Sequence, residues 1–188
     1  MSIFGLFFTS LAAGLSENLV FSNYLGLEPF LESTEKRDSA WKTGLSLTFA
    51  ITVCCFVTSV LDILVLKTLD IGYMRTVMFV LVVATFAKVA PGLSKILPKK
   101  LSALFVPSSL VIGNCAVLGS ALLVSEAGLN PFYALIYGAS LGLGFTLSCI
   151  LFAEIRERVK RADVPSFLRG LPIILITAGL VALAFMGF

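Results

Sequence analysis

Histidine is missing from the 188 residues altogether, and Asp, Glu, Lys and Arg together make up only 13%. Without an imidazole there is no everyday proton shuttle or nitrogen metal ligand. A histidine-based hydrolytic triad is excluded, and so is a haem held by histidine. The four cysteines contain no CxxC pair. What fills the space is apolar: 58% of residues are hydrophobic and the mean hydropathy is +1.01. A chain so poor in polar side chains cannot clothe a soluble domain of this size. Its solvent must be mainly lipid.

A bilayer-crossing helix takes about 20 apolar residues. Six stretches qualify: Ile3 to Leu31 (interrupted), Trp41 to Leu66, Ile71 to Ala87, Leu101 to Val124 (interrupted), Phe132 to Phe152, and Leu171 to Phe188. A membrane β-barrel would alternate polar and apolar residues over shorter strands. Runs such as Val77 to Val83 and Ile173 to Ala184 are apolar on nearly every face, so the expected class is an all-α integral membrane protein. Ser2 to Leu15 carries no charge and lacks the basic n-region of a cleaved signal peptide, so retention of this stretch is expected.

Basic residues orient the spans. With six crossings, the loops around residues 32–42, 88–100 and 154–169 share one side of the membrane. They hold Lys36, Arg37, Lys42, Lys88, Lys95, Lys99, Lys100, Arg156, Arg158, Lys160, Arg161 and Arg169, which leaves only Lys67 and Arg75 for the other side. Twelve of fourteen on one face is the positive-inside signature and puts both termini outside. The net charge of +3 therefore reports insertion rather than an affinity for nucleic acid. The Glu154 to Asp163 stretch reads most simply as a solvated helix end.

Two spans carry polar residues where lipid disfavours them: Ser16, Glu17, Asn18, Ser22 and Asn23 in the first, and Pro107, Ser108, Ser109, Gly113 and Asn114 in the fourth. The clusters correspond when Glu28 to Ser33 is laid on Cys115 to Ser120, an offset of 87 residues that also carries the second span onto the fifth. Three crossings per half make such a repeat inverted, with repeat one at about 1–92 and repeat two at about 93–188. Paired interrupted helices mark a site near the membrane midplane, and irregular backbone survives there only where protein or water satisfies it. Taken singly, Ser108, Ser109 and Gly113 read as helix-packing residues. Their matched placement is what favours function.

Cys54, Cys55 and Cys149 sit in apolar spans and read as small hydrophobes. Cys115 differs, because it follows Asn114 in the broken fourth span and precedes a small-residue run through Gly119. An iron-sulfur cluster takes about four thiolates, so a cluster at Cys115 needs ligands from a second polypeptide. Glu17 beside Asn18 is the better candidate for an ion pathway. Asp62 fits a paired or snorkelling helix-end acid as well as it fits an ion ligand.

The run Asn114-Cys115-Ala116-Val117-Leu118-Gly119, the stretch from Phe152 to Arg158 followed by Ala162-Asp163-Val164-Pro165, and the ending from Ile176 to Leu180 and Ala184 to Phe188 resemble the A-type subunits of Rnf electron-transport complexes. Glu17-Asn18-Leu19 and Tyr24-Leu25-Gly26-Leu27 match at the front, and the E-type subunits of sodium-pumping NADH:quinone oxidoreductases are close kin. The resemblance implies a member of an enzyme complex that moves electrons between ferredoxin and NAD and couples this to sodium or proton movement. The chain itself would carry no flavin. It would pair with a homologous E-type subunit of opposite topology, the two holding a midmembrane [2Fe-2S] cluster with two cysteines each. By that resemblance Cys115 is one iron ligand, and Gly26 and Asn114 flank the site. The second ligand position falls on Glu28, where the family usually reads GLCPF or GICPF and this chain reads Gly26-Leu27-Glu28-Pro29-Phe30.

A carboxylate is a harder ligand than a thiolate, and three arrangements fit the substitution: a cluster on three cysteines and Glu28, a cluster ligated otherwise, or none. Cys54 replaces the missing thiol poorly, because it lies about thirteen residues, or roughly 20 Å, into the second span. A redox-free inverted-repeat carrier is the alternative function. It shares the six helices and the midplane site but requires neither iron nor an inverted partner. A plain membrane anchor has no need of matched broken helices.

Overall fold

The computed structural model describes residues 19–27, 30–31, 34, 37–66, 68, 71–96, 114–163 and 165–185. Glu17, Asn18 and Glu28, with Ser16 and the polar run from Pro107 to Gly113, lie outside the described residues. Those described form helices and turns without strands.

Helix α1 spans Arg37–Leu61 and runs on as a π-helical turn, Asp62–Leu66. A 3-10 turn, Gly72–Met74, leads into α2, Arg75–Ile96. Helix α3 is Cys115–Glu126, α4 is Pro131–Arg161, and a second 3-10 turn, Ser166–Leu168, precedes α5, Leu171–Phe185. Among the described residues three stretches are long and apolar enough to cross a membrane: Ala40–Leu66, Gly72–Val89 and Pro131–Arg161. They match the second, third and fifth expected spans. Helices α3 and α5 are shorter apolar helices within the fourth and sixth.

Serine and threonine sit comfortably inside these helices because their hydroxyls return to the carbonyl one turn back. Thr52 Oγ1 donates to Thr48 O at 2.7 Å, Thr58 Oγ1 to Cys54 O at 2.8 Å, and Ser148 Oγ to Gly144 O at 2.9 Å. Each hydroxyl is thereby satisfied without water. Pro131 starts α4, where its missing N–H is no loss. Arg158, Lys160 and Arg161 end that helix and complement its negative pole.

The main contact is the crossing of α1 with α4. Small residues let the backbones approach: a Cβ on Gly142 would lie 2.7 Å from Thr48 Cα, one on Gly44 2.9 Å from Thr146 Cγ2, and one on Gly138 2.8 Å from Cys55 Cβ. Position rises on one helix as it falls on the other, so the pair is antiparallel. Thr48 Oγ1 at the crossing lies 2.7 Å from Gly142 O and 2.8 Å from Thr146 Oγ1. Such close backbone approach with interhelical hydrogen bonds is how helices associate in lipid, where hydrophobicity gives no drive.

The crossing carries an internal repeat. Gly44-x-Ser46-Leu47, Thr52 and Cys55 on α1 recur as Gly138-x-Ser140-Leu141, Thr146 and Cys149 on α4, each 94 residues on. The register that aligns the second and fifth spans is therefore 94, whereas 87 holds for the stretch around Cys115. The connection after Cys115 is seven residues longer than its counterpart after Glu28.

Asp62, 3% exposed in the π-helical turn, receives Arg75 Nε at 3.0 Å. Of the roles open to this acid, pairing at a helix end is the one observed. Helix α5 turns large apolar side chains outward, including Leu175, Leu180 and Leu183, as contact with lipid or a neighbouring protein requires.

Candidate functional site

Two backbone breaks meet at one point. In the first, Tyr24 adopts φ +55° and Gly26 φ +75°. Tyr24 N donates to Val20 O at 3.1 Å and Leu25 N to Leu19 O at 2.7 Å, closing off the turn before it. A new helical turn then starts, with Phe30 N donating to Gly26 O at 3.1 Å and Thr34 N to Phe30 O at 3.1 Å. In the second break Asn114 is extended at φ −92°, ψ 102°, and caps α3: its Oδ1 accepts from Ala116 N at 2.9 Å. This side-chain cap satisfies one of the four free N–H groups at a helix start.

The breaks interlock. Gly26 N donates to Cys115 Sγ at 3.0 Å. A Cβ on Gly26 would meet Asn114 Oδ1 at 2.8 Å and Ala116 Cβ at 2.9 Å, and one on Gly119 would run into Leu25 Cδ1. Glycine at 26 is thus required twice, by its left-handed backbone and by the space it leaves. Three of the sequence candidates, Gly26, Asn114 and Cys115, are brought together here.

Their surroundings divide the cysteines. Cys54, Cys55 and Cys149 are buried, whereas Cys115 is exposed. Asn114 is 2% exposed, and its Nδ2 has no hydrogen-bond partner among the described residues. A buried amide left in that state is costly and marks the spot beside Cys115 as one still short of an acceptor. Among the described residues no three His, Cys, Asp or Glu side chains gather as a metal site. A metal centre at Cys115 would take its other ligands from outside this set.

An aromatic cluster holds the first break in place. Phe21 stacks on Phe185 with ring centroids 4.9 Å apart, Phe30 lies 4.9 Å from Phe152, and Phe21 meets Phe30 edge-on at 5.7 Å. Arg156 secures the far end of the turn that begins at Gly26. Its Nη1 donates to Leu31 O at 2.6 Å and reaches Thr34 Oγ1 at 3.4 Å, while Thr34 Oγ1 itself donates to Phe30 O at 2.8 Å. The sequence reads Arg156 as part of a solvated helix end, yet it turns inward. Its place on the same helical face as Phe152, one turn away, is the signal that could have found it.

The profile of a family described as Rnf-Nqr subunit, membrane protein, matches residues 6–188. The chain belongs to this family. Among its relatives, the A-type subunit of the ion-translocating oxidoreductase complex of Serratia proteamaculans is 42% identical over 182 residues, covering 93% of this chain and 91% of the relative. That of the Na(+)-translocating ferredoxin:NAD(+) oxidoreductase complex of Acetobacterium woodii is 38% identical over 184 residues, covering 97% and 96%. The corresponding protein of the ion-translocating oxidoreductase complex of Syntrophotalea carbinolica is 41% identical over 182 residues, covering 95% and 93%. With its apolar helices, the family member described here is a multi-pass membrane protein.

Proposed function

We propose that this chain is the A-type subunit of an ion-translocating ferredoxin:NAD oxidoreductase, and that Cys115 is its ligand to a [2Fe-2S] cluster shared with a homologous subunit of opposite topology. The observation that carries the reading is the meeting of two broken helices at the one exposed cysteine, with Gly26 N 3.0 Å from Cys115 Sγ. When bound, such a cluster supplies a one-electron relay.

The chain's own residues have distinct tasks. Cys115 offers one sulfur, and Glu28, two residues beyond Gly26, offers a carboxylate at the position where the family usually carries a second thiol. The Gly26 amide donates to the Cys115 sulfur, and hydrogen bonds to ligating sulfurs help set a cluster's potential. The positive pole of α3 begins at Cys115 and complements an anionic centre. Asn114 Nδ2, buried and unpartnered among the described residues, is a further donor beside it. The inverted partner supplies the remaining ligands. Glu17 and Asn18 belong to the ion pathway in this reading.

Six helices in two inverted repeats complete it. The recurrence of Gly-x-Ser-Leu, Thr and Cys at a spacing of 94 residues supports the repeat. So does the antiparallel crossing of α1 with α4, in which Gly44 meets Thr146 and Gly138 meets the α1 turn from Thr52 to Cys55. The bond from Arg156 to Leu31 puts the start of α1 and the end of α4 on one side. That agrees with basic loops facing the cytoplasm and termini outside.

Iron content and low-temperature EPR of the purified complex test the assignment. Cys115→Ala is expected to abolish a [2Fe-2S] signal and remove the cluster's iron from the complex. Cys115→Ser serves where the alanine variant fails to assemble, and is expected to shift the signal. Glu28→Ala should shift or remove it. An assembled Cys115→Ala complex with unchanged iron and spectrum overturns the ligand role. A wild-type complex lacking any membrane-embedded cluster favours the redox-free carrier instead.

A further inference from the structure

The end of α4, the Arg169-Gly170 bend and the start of α5 line a half-open cavity of about 430 Å³ that neither the electron relay nor the ion path uses. Its rim holds three cations, Arg156, Lys160 and Arg169, and its floor is Val159, Ile173 and Ile174. Among the described residues no carboxylate lines it. Glu157 on the same helix end pairs with Arg161 one turn on, and Asp163 Oδ1 on the loop stands 3.9 Å from Arg169 Nη2 with both side chains largely exposed.

Two further observations narrow the ligand. Arg156 spends Nη1 on Leu31 O, yet its buried Nε has no hydrogen-bond partner among the described residues. A carbonyl acceptor leaves the positive charge of the guanidinium in place. Two of the three floor residues, Ile173 and Ile174, by contrast, belong to the first turn of α5, whose fifteen residues contain no charge. Phe167 and Leu171, close in sequence to Arg169 and Gly170, are 78% and 65% exposed. Large apolar side chains turned outward beside a ring of cations define the level where headgroups give way to acyl chains.

We infer that this cavity binds an anionic membrane phospholipid, the headgroup phosphodiester among Arg156, Lys160 and Arg169 and an acyl chain along Ile173 and Ile174. A free phosphate would use the rim but not the floor. A zwitterionic lipid would use the floor but carries a cation of its own to the rim. Basic pockets between transmembrane helices at the membrane surface suit anionic headgroups for this reason.

The test uses the whole complex, purified in mild detergent, stripped of lipid and then titrated with dioleoylphosphatidylglycerol, dioleoylphosphatidylcholine or inorganic phosphate. Bound lipid is counted by native mass spectrometry. Lys160→Gln and Arg169→Gln alter exposed side chains, so folding is spared. Each is expected to weaken phosphatidylglycerol binding roughly five-fold and the pair about 30-fold. Arg158→Gln removes the same charge from the same helix end but outside the cavity, and should stay within about two-fold of wild type. Preferential retention of phosphatidylglycerol, lost in the double variant and kept in Arg158→Gln, supports the site. Equal binding of phosphatidylcholine overturns it, as does competition by inorganic phosphate at comparable concentration. An Arg158→Gln loss matching that of the double variant overturns it in favour of diffuse surface charge. Protection of Lys160 from acylation by a neighbouring protein of the complex, with no lipid effect, assigns the cavity to that neighbour and overturns it too.

Discussion

The two breaks at Cys115 reach the same outcome by different chemistry. At Tyr24 to Gly26 the backbone itself makes the break, with two residues at positive φ and carbonyls closed off by main-chain bonds. At Asn114 the backbone stays in an ordinary extended conformation and a side chain caps the new helix. A break made by dihedral angles tolerates little substitution, because few residues occupy the left-handed region. One made by a side chain can be rebuilt by any residue that presents an acceptor at the same place. The two halves of one site should therefore differ sharply in what they accept.

Gly26→Ala should show the largest effect. A left-handed alanine costs about 1–2 kcal/mol, and its Cβ would press on Asn114 Oδ1 at 2.8 Å and Ala116 Cβ at 2.9 Å, adding about 1–3 kcal/mol of overpacking. The yield of assembled complex and its melting temperature are expected to fall together. Wild-type values for Gly26→Ala would remove the dihedral argument.

Asn114→Ala tests the other half and should cost less. Losing the cap is worth about 1 kcal/mol, and part of that is offset because the variant also removes an unpartnered buried Nδ2. Asn114→Ser restores an acceptor and should recover most of the loss in melting temperature. If Asn114→Ala proves as damaging as Gly26→Ala while serine fails to rescue, the amide has a role beyond capping, and donation toward the Cys115 side of the site is the natural one.

Much of this arrangement is written locally in the sequence, and some is not. Spans two, three and five are legible there because apolar length alone decides them. The Asn114-Cys115 break is legible because its polar cluster matches a second one in the first span; the capping role of Asn114 is not, since other polar residues in apolar spans sit inside helices and bond to the turn before them. The 94-residue repeat of Gly-x-Ser-Leu, Thr and Cys is equally present in the sequence but hidden by an alignment anchored on Glu28 and Cys115. Small residues in apolar helices look alike until the α1 and α4 backbones are seen to touch. Arg156 is hidden for a different reason. Charge at a helix end reads as solvation unless a nearby segment is known to present bare carbonyls, and Leu31 is 125 residues away in the chain. Glu28 itself, the position that separates this chain from its family's usual motif, lies outside the described residues.

Tyr24→Gly is the smallest and most discriminating change. At φ +55° tyrosine carries left-handed strain of about 1 kcal/mol that glycine relieves, whereas glycine's freer unfolded chain takes back roughly 0.5–1 kcal/mol. The tyrosine side chain is 57% exposed, so little burial is lost. The two contributions nearly cancel, and the melting temperature of Tyr24→Gly should match wild type. Tyr24→Val at the same position should be clearly worse, because a β-branched residue fits the left-handed region poorly. A glycine variant that keeps its stability but loses assembly with its neighbours would show that Tyr24 is held in its strained conformation for what its side chain touches on another protein of the complex. A glycine variant normal in both respects leaves the backbone turn as the whole purpose of the strain.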